Sequence, residues 1–279
     1  MEVETKRILF IRHGESKWNE TFNKGFYPPA FARRIFKALA EEAACLFSFD
    51  SVLFDSPLNS VGIEQAVDLA TALESLEIDA VAPADAKVLR ADAGAPTSVV
   101  CSSNLRRAAQ TAVLSLWGRL GRTHEKVVVV SALQEISRNI DTLSLAPARR
   151  PVPLPGVAER LAVAPLDGDK VFAASDNRGN KPIFGTGLQR MDTFCGWAFA
   201  RKEDAVICGG HSLWFRSFFR TYLPTATSAA AKDSKMCNGG CVAFDLTRAQ
   251  KDGRYVYRIP PESVKEVFLG FEQKKSKKK

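Results

Sequence analysis

Three histidines occur in the 279-residue chain, and two of them close apolar runs in the same way. His13 follows Ile8-Leu9-Phe10-Ile11 through Arg12 and precedes Gly14-Glu15-Ser16. His211 follows Ala205-Val206-Ile207-Cys208 through Gly209-Gly210. Open α/β sheets gather their chemistry at the C-terminal ends of strands, so the repeated context marks a site. A neutral imidazole is a nucleophile, and a phosphoryl group is an electrophile whose oxygens arginine neutralises. The chemistry suggested is phosphoryl transfer to histidine. The third histidine, His124, lies in a polar turn before Val127-Val128-Val129-Val130 and reads as an exposed bystander.

Arg12-His13-Gly14-Glu15-Ser16 with Trp18-Asn19 resembles the signature of the histidine phosphatase superfamily, in its phosphoglycerate-mutase-like branch. Four further segments agree in order: Asp55-Ser56-Pro57-Leu58-Asn59 with Gly62 and Gln65-Ala66; Ser103-Asn104-Leu105-Arg106-Arg107-Ala108 with Thr111; Leu133-Gln134-Glu135; and Gly209-Gly210-His211-Ser212. The resemblance spans residues 8–246 and implies a three-layer α/β/α sandwich with a mostly parallel sheet. It also implies that His13 takes the phosphoryl group, that Arg12, Arg107 and His211 bind its oxygens, and that Glu135 protonates the leaving group. Asn19 and the backbone N–H of Ser212 are further substrate contacts it suggests. It implies no metal and no other cofactor.

Each role has a physical reason. A transferring phosphoryl group spreads charge over three oxygens, which guanidinium forks meet bidentately. A proton donor must be a carboxyl kept protonated part of the time near neutral pH. Arg106 competes with Arg107, since neighbours on a helix sit about 100° apart and one of them is expected to point inward. Asp141 competes with Glu135. The resemblance also implies that the long 139–182 loop helps form the substrate side of the pocket, which makes Arg149, Arg150, Arg160 and Arg178 candidate substrate contacts, against the alternative of a solvated face.

Two departures separate this chain from the family's mutases, which resemble it otherwise. Ile136-Ser137-Arg138-Asn139 stands where they have a Tyr-Gly element, and Gly-Gly-His-Ser stands where they have Gly-His-Gly-Asn. A phosphatase needs only water to reach the phosphohistidine, so hydrolysis of a phosphorylated small molecule or phosphoprotein is expected. A phosphoglycerate-type mutase and a catalytically idle phospho-ligand-binding relative are the alternatives.

The elements that would position these residues follow from periodicity. Apolar spacing predicts helices over 31–47, 62–76, 105–120 and 187–202. The stripe of the second is Ile63, Ala66, Val67, Ala70 and Leu73, and the apolar face of the first is expected to pack on the body, with a lid or a membrane-contacting surface as the alternative. Strands are expected at 99–102, 127–130 and 206–208, and 242–244 and 255–257 flank Asp252-Gly253 as an antiparallel edge hairpin. One domain over 1–272 is expected, with insertions near 20–54 and 139–182 and a basic tail at 273–279.

Composition agrees with a globular enzyme, 46% hydrophobic and 25% charged. No N-terminal signal is visible and no apolar run reaches the roughly 18 residues of a membrane span, so a cytoplasmic location is expected. The six cysteines lie mostly within apolar segments, and Cys237 and Cys241 are spaced poorly for zinc. Five lysines in the tail supply most of the net charge of +8. Such a tail is expected to be a solvated end; nuclear import or weak contact with an anionic membrane are alternatives, and no specific nucleic-acid partner is implied. Oligomeric state is not readable from the sequence.

Overall fold

A computed structural model of the chain describes residues 3–45, 50–182, 185, 187–227 and 229–273. In order the elements are β1 (Val3–Arg12), α1 (Lys17–Phe22), α2 (Pro28–Ala44), α3 (Ser60–Glu74), α4 (Pro83–Arg90), β2 (Ser98–Ser102), α5 (Arg106–Ser115), α6 (Trp117–Thr123), β3 (Val127–Val129), α7 (Val157–Leu161), α8 (Gly168–Val171), β4 (Phe172–Ala173), α9 (Gly187–Ala200), β5 (Ala205–Gly210), α10 (Ser212–Tyr222), α11 (Ala230–Asp233), β6 (Cys241–Lys251), β7 (Arg254–Arg258) and β8 (Lys265–Phe268). The lysine tail, and Leu46 and Phe47 at the end of the first predicted helix, lie outside the described residues.

The strands form one sheet in the order β4-β3-β2-β5-β1-β6-β7, with β8 also pairing with β6. From β4 to β1 the pairs are parallel, and those made by β6 are antiparallel. Successive side chains leave a strand on opposite faces, and β1 uses both. Leu9 and Ile11 join Leu69 of α3, Leu89 of α4 and Val113 of α5 in one core. Ile8 and Phe10 join Phe194 of α9 and Trp214 and Phe218 of α10 in the other. The result is the predicted α/β/α sandwich with a mostly parallel sheet.

Register sets the site. Arg12 pairs with Gly210 across β1 and β5, and Ser102 of β2 pairs with Gly209. Ser102 also pairs with Val129 of β3. Four neighbouring parallel strands therefore end along one edge, and His13, His211, Arg107 and Glu135 each follow one of them. Gly14 lets the chain leave β1 against the first turn of α3, where a Cβ would overlap the Gly62 carbonyl.

Several local expectations change. The buried face of α3 is Ala66, Leu69, Ala72 and Leu73, while Val67 and Ala70 are only half-buried; the helix is turned so that Leu69 meets the sheet. The helix expected over 105–120 breaks at Leu116, with φ −112° and ψ 17°, into α5 and α6. α2 packs its expected apolar face only in part: Phe31 and Ile35 are half-buried and Ala38 beside them is buried, whereas Leu39 is 52% exposed. The 139–182 segment adds the edge strand β4, and β8 is likewise a strand without a sequence signal strong enough to place it. Among the described residues no helix is long and apolar enough to cross a membrane.

Candidate active site

His13 leaves β1 with its backbone N–H donating to the Gly210 carbonyl at 3.0 Å, which ties it to the strand end that presents His211. The two rings are 5.1 Å apart between centroids, inclined by 57°. His13 Nδ1 lies 2.6 Å from the Gly14 carbonyl. A carbonyl only accepts, so Nδ1 holds the proton and Nε2 presents its lone pair. Arg107 Nε donates to that Nε2 at 3.3 Å. Burial first, then the charges of Arg107 and Arg12, hold the His13 pKa well below 6.5, so the ring is neutral.

His211 caps α10, whose Trp214, Phe215 and Phe218 anchor it in the aromatic core around Phe10; the Phe10 and Phe215 rings stack at 4.0 Å. Its Nε2 lies 2.9 Å from Ser103 Oγ. With the serine hydroxyl donating, the imidazole proton sits on Nδ1, which is buried without a partner among the described residues. Burial and the neighbouring Arg107 charge keep this ring neutral as well. Ser212 opens α10, so its N–H is one of the helix-start donors that have no intrahelical acceptor.

Arg107 lies in the first turn of α5 and makes two contacts besides the one to His13: Nη1 donates to the Asp141 carbonyl at 2.7 Å and Nη2 lies 3.3 Å from the Asp141 carboxylate. The expectation that only one of the adjacent arginines turns inward needs correcting. Arg106 is just as buried, but on the other side of the helix start. It ties down the 50–55 segment through Asp50, the Ser51 and Phe54 carbonyls and the Asp55 carbonyl, with no contact to His13.

Glu135 is 5% exposed. Its two oxygens accept from the Ile136 N–H at 2.7 Å and the Leu213 N–H at 3.3 Å. Burial raises its pKa despite those bonds and the Arg107 charge. Asp141 is also buried and raised by burial, but its carboxylate faces Arg107 and one oxygen has no partner among the described residues. Both carboxyls therefore stand at the site, one over Leu213 and one on Arg107.

Not every candidate joins this group. Asn19 lies on α1, its Oδ1 accepting from Asn23 and its N–H donating to Ser16, with no hydrogen bond to His13, Arg12, Arg107 or His211. Arg160 pairs with Glu64 in an exposed contact, and Arg149, Arg150 and Arg178 are exposed. Lys181, from the same long loop, is the basic residue that enters instead. Its ammonium donates to the Glu135 and Ser137 carbonyls and to Thr142 Oγ1, and burial with Arg190 nearby lowers its pKa to about 8. Gln134 draws the loop in, receiving the Lys181 N–H at 2.7 Å and donating to Asn180 at 2.8 Å. No periodicity distinguishes Lys181 from the loop's other cations. Ser103 had a signal, since it opens the segment that carries Arg107. Among the described residues no group of three or more His, Cys, Asp or Glu side chains could hold a metal ion.

No family model and no curated protein matches the sequence. Solved structures do. An alpha-ribazole phosphatase from Shigella flexneri is 17% identical over 96% of this chain and 100% of its own, with a TM-score of 0.41. A mycobacterial glucosyl-3-phosphoglycerate phosphatase is 17% identical over 91% and 97%, with a TM-score of 0.43. A phosphoserine phosphatase from Entamoeba histolytica, solved with phosphoserine, is 14% identical over 94% and 98%, with a TM-score of 0.41.

Proposed function

We propose that this chain is a member of the histidine phosphatase superfamily and a phosphomonoesterase that works through a phosphohistidine on His13. The observation that supports this most directly is the state of that ring: neutral, its Nδ1–H fixed on the Gly14 carbonyl, its Nε2 lone pair directed at Arg107. A substrate phosphoryl oxygen takes over the Arg107 N–H, and Nε2 attacks phosphorus. The bond to the leaving oxygen breaks as Glu135 gives that oxygen its proton. Water then attacks the phosphohistidine, Glu135 takes the water's proton, and the nitrogen–phosphorus bond breaks to release phosphate. Arg12, Arg107, His211 Nδ1 and the Ser212 N–H meet the oxygens, so the charge is handled by protein donors without a metal. The Gly14 carbonyl supports the positive imidazole while the phosphoryl group is attached.

The test is hydrolysis of an activated aryl phosphate by wild type and His13→Ala with chelator present, with acid-labile phosphate trapped on the protein. Chelator-resistant, His13-dependent release and a trapped phosphohistidine are expected. Interconversion of phosphoglycerate isomers with a bisphosphate primer, without phosphate release, would replace hydrolysis by transfer. Failure of both assays would leave a binding protein.

A further inference from the structure

Arg12 is held from an unforeseen direction. The chain beyond β8 runs back along the turn that precedes β6: Cys237 N–H donates to the Gly270 carbonyl at 2.8 Å, Phe271 bridges Met236, and Glu272 N–H donates to the Lys235 carbonyl at 2.8 Å. The Phe271 ring packs against Phe219 of α10. Glu272 is thereby fixed by its own backbone, and its carboxylate accepts from Arg12 Nη1 at 2.8 Å. The same Nη1 donates to the Met236 carbonyl.

A guanidinium offers an oxyanion two edges, Nη1 with Nη2 or Nε with Nη2. Fixing Nη1 removes the first. The second stays free: among the described residues Nε is buried with no partner and no hydrogen bond uses Nη2. Exposed ion pairs between mobile side chains are worth little; here the Glu272 side chain is half exposed, but the arginine is buried and the carboxylate is carried by a segment whose backbone is pinned.

We infer that Glu272 is a positioning residue of the phosphate site, turning the Nε and Nη2 edge of Arg12 toward the phosphoryl group. The inference rests on the phosphatase reading above for what is bound, and on the hydrogen bonds of Arg12 for how it is held. The 269–272 segment becomes part of the binding apparatus although it follows the last strand and lies 260 residues from Arg12.

Calorimetric titration of the full chain with inorganic phosphate tests it without requiring turnover. Glu272→Ala should weaken phosphate about tenfold, whereas Glu272→Gln, whose amide oxygen still accepts from Nη1, should stay within about twofold of wild type. In an Arg12→Lys background Glu272→Ala should cost nothing more, because lysine has no edge to orient. Melting of each variant establishes that it is folded. Unchanged or tighter binding by Glu272→Ala overturns the inference, since that is what removal of a mere repelling charge would give. So does an equal loss in Glu272→Gln, or a further loss in the Arg12→Lys background. Phosphate binding without aryl phosphatase turnover overturns the phosphatase reading and leaves these ratios to decide on Glu272; no binding by wild type overturns both.

Discussion

Arg107 Nε donates to His13 Nε2 across 3.3 Å, so the cation that would stabilise a phosphoryl group rests on the atom that would attack it. The contact has two effects: it adds to burial in keeping the imidazole neutral, and it places a donor beside the phosphorus to come. Arg107→Lys should lower kcat/KM on an aryl phosphate by about 100-fold, because an ammonium cannot make the fork. Arg107→Met removes the second-largest cause of the depressed His13 pKa. The acid limb of its pH profile should move up toward the ordinary histidine value, and a limb that stays in place would remove Arg107 from that role.

Glu135 acts on the leaving group in this mechanism, so its importance should scale with how much proton the leaving oxygen needs. Glu135→Gln should lose about 100-fold or more on an alkyl phosphate, within the usual range for general acid catalysis, and much less on a nitrophenyl ester. Rates for a series of leaving groups measure the slope. Equal losses across the series would remove Glu135 from the acid role.

The same residue makes a statement about stability. Its folded pKa lies above the ordinary 4.5 because burial disfavours the charge. Between those two values the native state holds a proton that the unfolded state has released, so stability falls as pH rises through that window. Glu135→Gln has no such proton. Its melting point should therefore gain on wild type as pH rises from 4.5 through the raised folded value, and a pH-independent difference would show an unperturbed carboxyl.

The strand ends were legible because each is an apolar run stopped by glycine or a polar residue, and alternation along β1 alone assigns Leu9 and Phe10 to opposite faces. The sandwich and the convergence of His13, His211 and Arg107 follow from that pattern with the family resemblance. Lys181 and Glu272 were not legible. Each reaches the site through hydrogen bonds of an irregular segment, with Gln134 and with the Lys235 carbonyl, which leave no period in the sequence. The face of α2 shows the limit of periodicity: apolar spacing shows that a helix has a face, but only the tertiary structure shows that Phe31 and Ile35 are half-buried while Leu39 is 52% exposed. Arg106 and Arg107 show the limit of the angular argument, since the 50–55 segment covers one and Asp141 holds the other.

Arg106 is expected to matter for folding rather than chemistry. Its guanidinium is buried among main-chain carbonyls and Asp50, and its backbone N–H donates to Asp55 Oδ1 at 2.9 Å. Asp55 in turn receives the Leu145 N–H at 2.8 Å, so one knot joins three segments. Arg106→Met leaves those carbonyls unpaired and should cost about 3 kcal/mol in urea unfolding. Turnover per folded molecule should change far less than in Arg107→Lys.

Glycine to alanine should have opposite signs at two positions. At Gly14 a Cβ meets the backbone of Gly62, which cannot rotate away, and the surrounding bonds, Gly14 N–H to Thr111 Oγ1 at 3.1 Å and Glu15 N–H to Gln65 Oε1 at 2.8 Å, oppose a shift. Gly14→Ala should destabilise by about 1–3 kcal/mol, as overpacking does. Because His13 is the adjacent residue, it should also lose activity per folded molecule. Gly121, inside α6, has nothing within 4 Å of its would-be Cβ and no positive φ. There alanine gains helix propensity, and Gly121→Ala should stabilise by up to about 1 kcal/mol with activity unchanged. Melting and turnover of the two variants side by side separate a glycine required by close backbone approach from one that is merely tolerated; equal effects would mean that the loop after β1 has more room than its packing on α3 shows.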